Sequence, residues 1–371
     1  MLCLPPEIYA ILCEQVDTAS LALFCRISRA FQEQAQWILY HKVDLRACTL
    51  PYVKSWCMAV TRHSHLAKRV ESLSLRLLNS ALIQEDAERI GRAFAVCVNL
   101  RRLAVLHGGH MPDICPQTWM IEECGFRLER FSNTYFNLNR GMEGFFERQT
   151  SLRVLSLPSA MHSIPFTDGR LPNLTAIDAS LEIVLGLPAG RPLQRIQIHG
   201  ERSGYLDRLA SLSRYSATLK NLTIVRVTDS IFSSVDIVRA IAQALPDLKH
   251  LGIDERELSR PRLSSEPTTP TLTDSPISTL EMFRTLESFT YRIRNPTCFF
   301  GMGMTCSFRI MDPDPAQGLL AFGSAMLEAC GSMRKAAIGV GPDSGVGLKC
   351  VFMRDANEFV EKLDFDEGFW N

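Results

Sequence analysis

The chain of 371 residues balances 40 Lys and Arg against 40 Asp and Glu, so no global charge draws it to nucleic acid or to an anionic membrane. With 46% hydrophobic and 22% charged residues it has the composition of a folded protein, and it is long enough for two domains or for an elongated array with a small module. No apolar run approaches the ~20 residues that cross a membrane. Pro5, Pro6 and Glu7 interrupt the apolar start, against a secretory signal, and twelve cysteines without a Cys-x-x-Cys pair read as reduced core thiols of a cytoplasmic or nuclear protein.

Residues 4 to 45 read as three short helices, over Pro6–Val16, Ala19–Cys25 and Ser28–Tyr40. Pro5 and Pro6 suit a helix start, Asp17 and Thr18 make a break, and Ser28 can cap the third helix. Ile8, Ile11, Leu12 and Val16 share one face, and Leu21, Leu23, Phe24, Ile27, Phe31, Ala35 and Ile38 add more apolar surface than so small a unit can enclose. That surplus must meet a partner as well as the chain that follows.

From residue 46 onward a different frame recurs, with apolar residues at positions one, four and six. The copies are Val70/Leu73/Leu75, Leu100/Leu103/Val105, Leu152/Leu155/Leu157, Leu193/Ile196/Ile198, Leu219/Leu222/Ile224, Leu248/Leu251/Ile253 and Leu286/Phe289/Tyr291. Weaker ones are Leu128/Phe131 followed by Asn133, Leu174/Ile177 followed by Ala179, and Met333/Ala336/Ile338. Positions four and six alternate with polar or small residues, as in a strand with one buried face, and position one reaches the core from the turn before. Helical spacing separates the frames over Leu82–Val98, Met142–Arg148, Tyr205–Tyr215, Val235–Leu245 and Ala316–Cys330. Stacked units of this kind give a parallel strand ladder with outer helices, an α/β architecture that is its own core. An ordinary doubly wound α/β domain is the alternative.

The frame resembles the L-x-x-L-x-L segment of leucine-rich repeats, with two departures: no Asn or Cys follows the strand at a fixed offset, and the spacing between frames is uneven. The N-terminal residues carry a second resemblance. Leu4-Pro5-Pro6-Glu7-Ile8, Val16-Asp17 and Leu21 through Arg26-Ile27-Ser28-Arg29-Ala30-Phe31 look like an F-box, and Trp37 to Leu45 resembles the way many fungal F-box proteins pass into their repeats. Arg26 and Ile27 depart mildly from the family's pattern. This resemblance implies a 1–45 module docking a Skp-type adaptor of a cullin-RING ubiquitin ligase through Leu4, Pro5, Ile8, Leu12 and Val16, with Leu21, Leu23 and Phe31 as helpers or as internal core. Residues 46–371 would then form the repeat array that binds target proteins, a non-catalytic role that requires no cofactor.

Positions three, five and seven of each frame face the open side of the sheet. They carry Arg76, Arg102, Arg130, Asp178, Arg195, His199, His250 and Arg292 among smaller residues, a surface suited to a protein or peptide. The arginines form either a stripe for an acidic or phosphorylated substrate or an ordinary solvated face. Residues 259–278, dense in Ser, Thr and Pro, read as a surface loop whose Thr269-Pro270 and Ser275-Pro276 suit proline-directed kinases or are left unmodified. His63 with His65, and His107 with His110 and Cys115, lack the four-ligand spacing of a zinc site. Gly339-Val340-Gly341 and Gly345-Val346-Gly347 lack a Gly-Lys-Ser/Thr ending and read as a turn-rich link between terminal strands.

Overall fold

The computed structural model describes residues 5–78, 82–108, 117–158, 166, 169–200, 205–227, 234–256, 279–294, 323–341 and 348–354. Leu4, the 259–278 stretch with Thr269 and Ser275, residues 316–322, 345–347, His110 and Cys115 lie outside them. The chain divides into an N-terminal unit (1–175 with 186–191) and a C-terminal unit (176–185 with 192–371).

The N-terminal unit opens with three helices, α1 (Pro6–Glu14), α2 (Thr18–Phe24) and α3 (Arg29–His41). Pro6 starts α1, where a missing N–H costs nothing. Asp17 caps α2, its carboxylate accepting from Ser20 N–H at 2.7 Å and thereby held below its ordinary pKa, and Ser28 caps α3 through Phe31 N–H at 3.3 Å. Their shared core is small: Cys13, Leu21 and Ala35 are buried, with Val16, Phe24, Cys25, Phe31, Ile38 and Leu39 packed around them.

Helix α3 passes directly into a strand, β1 (Lys42–Leu45). The sequence reading placed these residues at the tail of the helical module; they are instead the first rung of the ladder. Val43 and Leu45 face inward and pair in parallel with Leu73 and Leu75 of β2 (Ser72–Leu77). The ladder continues in parallel through β3 (Arg102–His107), β4 (Arg130–Asn133) and β5 (Val154–Leu157). The crossovers carry α4 (Leu50–Arg62), α5 (Ser64–Ala67), α6 (Gln84–Val96), α7 (Trp119–Glu122) and α8 (Arg140–Arg148).

The C-terminal unit repeats the pattern. Strands β6 (Ala176–Ser180), β7 (Arg195–Gly200), β8 (Asn221–Val227), β9 (His250–Arg256), β10 (Ser288–Arg294) and β11 (Lys335–Gly341) pair in parallel in that order. Between them lie α9 (Leu181–Gly186), α10 (Tyr205–Leu209), a 3-10 turn over Ala210–Tyr215, α11 (Ser234–Ala244) and a helix over 323–329. The last strand, β12 (Leu348–Met353), runs antiparallel to β11. Gly339-Val340-Gly341, expected in a turn, belong to β11 itself. Gly323 lets the 323–329 helix approach β12, since a Cβ there would lie 2.3 Å from the Phe352 ring.

One backbone rule explains why the frame works. The N–H groups of positions two and three both reach the carbonyl of position two in the preceding strand: Arg101 and Arg102 to Glu71, Glu129 and Arg130 to Arg101, Lys249 and His250 to Lys220, and Arg334 and Lys335 to Glu287. That acceptor fixes the register, so positions four and six of adjacent strands stack on one face. Leu73, Leu103, Leu155, Ile177, Ile196, Leu222, Leu251, Phe289 and Ala336 are all at most 2% exposed. Position one is held in the preceding turn, as by Val70 N–H to Ala67 O and Leu152 N–H to Gln149 O. At about 1.5–3 kcal/mol for each buried Leu or Ile, this inner face is the principal source of stability.

Asparagine enters one residue before the frame, a position the sequence reading passed over. Asn99 Nδ2 donates to Lys68 O at 2.7 Å and Asn173 Nδ2 to Thr150 O at 2.9 Å, tying each turn to the one before. The weak copy at residue 133 also has a local reason. Asn133 is buried at position six, and its Oδ1 accepts from Tyr135 and Phe136 N–H while its Nδ2 donates to Phe136 O, closing the loop after β4. Cys57, Cys97 and Cys124 are buried thiols whose pKa values are pushed up to about 12 by desolvation, which leaves them protonated and inert.

Candidate functional site

In the N-terminal unit the three helices divide the residues that sequence alone left together. Leu21 is core, and Val16 and Phe31 pack against that core, Phe31 also meeting Tyr9 and Phe24 at ring centroid distances of 4.7 and 4.8 Å. Pro5, Ile8, Leu12 and Leu23 are exposed, Leu23 by 60%. Two further residues join them: Ile11, 53% exposed, and Ile27, 62% exposed in the turn after α2. The sequence reading counted Ile27 in the apolar surplus of the module and as a departure from the motif, but did not place it among the docking residues. Among the described residues of α1, α2 and the following turn, five large aliphatic side chains therefore face solvent.

On the open face of the N-terminal ladder, Arg102 and Arg130 are direct register partners, in line with Ser72 and Lys42. Arg76 stands four residues further along β2, opposite Leu106, and does not share their row. Like charges side by side on adjacent strands repel, so Arg102 and Arg130 hold a local positive field that an anion would relieve. The row just before them alternates in sign, with Arg101 3.6 Å from Glu129.

The open face of the C-terminal unit has three rows. The first, in register, is Ala176, Arg195, Asn221, His250, Ser288 and Lys335. His250 Nδ1 lies 2.8 Å from Ser288 Oγ. Burial holds the His250 pKa below its ordinary value; Glu287 opposes that shift, while Lys249, Arg195 and Lys335 add to it. Glu287 is engaged by Lys249 at 2.6 Å, and that hydrogen bond keeps its carboxyl below the usual range. The second row, Asp178, Gln197, Thr223, Gly252 and Thr290, is narrow and polar; a Cβ at Gly252 would sit 3.0 Å from Thr223 Oγ1. The third is Ser180, His199, Val225, Asp254 and Arg292.

Here the expectation of a uniformly open surface fails. Asp178, Val225 and Asp254 are buried. Asp178 Oδ1 lies 2.5 Å from His199 Nε2 and accepts from Gln197 Nε2 at 3.2 Å, so this pair is committed internally. Residues 21 positions apart in sequence meet only because register sets Ser180 against His199. On the inner face, Arg226 Nε lies 3.2 Å from Glu255 Oε1 and Tyr291 Oη donates to Glu255 Oε2 at 2.7 Å, a buried polar cluster that the frame did not foreshadow.

Among the described residues no three His, Cys, Asp or Glu side chains converge as a metal site would require. His63 and His65 lie at 5.8 Å between ring centroids on the surface, and His107 stacks on Tyr135. Among the described residues no helix is long and apolar enough to cross a membrane.

No protein-family model matches the chain, and no curated protein matches it. One similar solved structure is an internalin (inlF) from Listeria monocytogenes, 13% identical over 66% of this chain and 70% of that chain, with a TM-score of 0.33. A likeness that slight carries no weight for function. In each unit the strand register itself identifies a leucine-rich-repeat-like ladder of α/β repeats, parallel in the N-terminal unit and parallel save for its final strand in the C-terminal unit.

Proposed function

We propose that this protein is a non-catalytic adaptor that joins two other proteins, its N-terminal helices docking a Skp-type adaptor of a cullin-RING ubiquitin ligase and its strand ladder holding the protein to be modified. The observation that carries this reading is the set of exposed aliphatic residues Ile8, Ile11, Leu12, Leu23 and Ile27 on helices whose own core is already filled by Cys13, Leu21 and Ala35. A face of that kind is stabilised by an apolar partner, and it coincides with the segment resembling an F-box. The open faces of the ladders, with Arg102 and Arg130 in one unit and Arg195, His250 and Lys335 in the other, are the surfaces for an acidic or phosphorylated protein.

A second reading, that the helices only cap the array of a scaffold, draws on one feature: α3 runs straight into β1, and Arg69 Nη1 donates to Glu33 O at 2.7 Å. Co-purification of the full-length chain with a purified Skp-type adaptor separates the two. The adaptor is expected to be retained by the native chain and lost on Ile8→Glu or Leu23→Glu with the fold intact. Absence of retention by the native chain leaves the scaffold.

A further inference from the structure

Two neighbouring rows of the N-terminal ladder differ in how their charges are met. At position two, Glu71, Arg101, Glu129 and Arg153 alternate in sign along the backbone bonds that join them, and Arg101 lies 3.6 Å from Glu129. At position three, Lys42, Ser72, Arg102, Arg130 and Val154 stand in register, so Arg102 and Arg130 are one strand spacing apart, about 4.8 Å, with no carboxylate in the row. Among the described residues neither guanidinium has an ion-pair or hydrogen-bond partner. The one carboxylate among the described residues of this row and the next open-face row is Asp44, two strands from Arg102. Arg46 already grips it at 2.6 to 3.1 Å. Two adjacent cations are thus left without a counter-charge.

The next open-face row, at position five, is made of short side chains: Ser74, Ala104 and Ser132 stand in register and all three are half-buried. Residues two apart on a strand share a face about 6.8 Å from one another, so the space above Ala104 is fronted by the two guanidiniums and walled by the two hydroxyls. Among the described residues those hydroxyls, and that of Ser72 beside Arg102, have no hydrogen-bond partner. The donors therefore outnumber what a carboxylate can accept from one side, since it offers two coplanar oxygens and one charge. A phosphomonoester offers three outward oxygens and, at about pH 7, close to two charges. A nucleic-acid strand carries one charge per phosphate and repeats them, whereas this row ends at Val154.

We propose that Arg102 and Arg130 together hold the phosphate of a phosphoserine or phosphothreonine on a protein ligand, with the Ser74 and Ser132 hydroxyls donating from either side of Ala104. This rests on the reading that the ladder takes a protein ligand, and it names the group recognised in the N-terminal unit. Without ligand the neighbouring guanidiniums repel; a shared phosphate replaces that repulsion with two charge-assisted contacts to one group. Recognition is therefore conditional on modification, because the same segment without its phosphate leaves both charges unmet. Arg76, four residues along β2 from this row and opposite Leu106, takes no part.

The test uses the full-length chain, immobilised, and three peptide pools with randomised flanks and a fixed centre of phosphoserine, serine or glutamate. The phosphoserine pool is expected to be retained about tenfold over the serine pool and about threefold over the glutamate pool. Arg102→Gln and Arg130→Gln should each reduce its retention by about tenfold, and Arg102→Lys should recover only part of the loss, since an ammonium lacks the fork. Arg76→Gln should leave retention within about twofold. Ala104→Leu keeps every charge but fills the recess, so it should cost about as much as losing an arginine. Thermal midpoints without peptide keep these results interpretable: losing one arginine relieves repulsion, so the midpoint should not fall. Equal retention of the phosphoserine and glutamate pools overturns the proposal and leaves a general acidic face; no retention of any pool removes both. A loss with Arg76→Gln equal to that with Arg102→Gln, or full retention by a stably folded Ala104→Leu, overturns it as well. So does retention of a single-stranded DNA oligonucleotide or of phosphatidylserine vesicles, in place of the peptides, that is lost with the same arginines. Retention of the Skp-type adaptor, measured on the same preparations, reports on the helices alone. Its loss with phosphopeptide retention intact sinks the ligase reading and leaves the phosphate site standing.

Discussion

The N-terminal helices and the strand ladder that follows them solve the same problem in opposite ways. Each ladder strand buries positions four and six against identical positions on its neighbours, so Leu73, Leu103 and Leu155 form a file at most 2% exposed. The three helices bury only Cys13, Leu21 and Ala35 and leave Ile11, Leu23 and Ile27 more than half exposed. A repeated unit inherits a partner from the next repeat; a single module has to find one elsewhere. The contrast identifies an apolar face that the fold does not use.

Substitutions probe that difference, beginning with the largest effect. Leu103→Ala, in the middle of the N-terminal ladder, should cost about 2–5 kcal/mol, seen as a lower urea midpoint for the N-terminal unit, because Leu73 and Phe131 on the two flanking strands cannot close the cavity. Leu21→Ala should cost about 2–3 kcal/mol, but hydrogen exchange should show it as local opening of α1 to α3 with β2 to β5 still protected. Equal loss of protection throughout would mean the helices and ladder fold as one cooperative block. Ser28→Ala, removing the cap of α3, should cost about 1 kcal/mol in the same exchange measurement. Ile27→Ser should change stability by no more than about 0.5 kcal/mol while weakening adaptor retention severalfold; a stability loss above 1 kcal/mol would place Ile27 in the core instead.

Much of the ladder was legible because its determinants are local. Leu152, Leu155 and Leu157 state inward direction, strand and turn within six residues, and the backbone acceptor at position two does the rest. Two elements were missed for identifiable reasons. Strand β1 carries the same frame as Tyr40, Val43 and Leu45, but its first position lies inside α3, so the helical reading overrode it. Helix α4 buries Val53, Cys57 and Val60 at helical spacing after Pro51, a pattern that was present and not used. The open face was less legible. Asp178 and His199 are paired by register across a crossover whose length follows no fixed period, and Asp254 is buried at a frame position that the local pattern reads as open. Arg76 likewise looked like part of an arginine stripe, until the register set it four residues away from the row of Arg102.

The direct passage from α3 into β1 has a mechanical meaning. His41 ends the helix and Lys42 begins the strand, with no spacer between them, and both lie in the N-terminal unit. Under the proposed function, a protein docked on the helices is held on a bracket rather than on a tether, at a set bearing to the strands β1 to β5. One extra residue inserted in α3 would turn the gripping face through about 100° and advance it by about 1.5 Å. On that reading, length at this joint, more than affinity at either surface, decides which way a docked partner points.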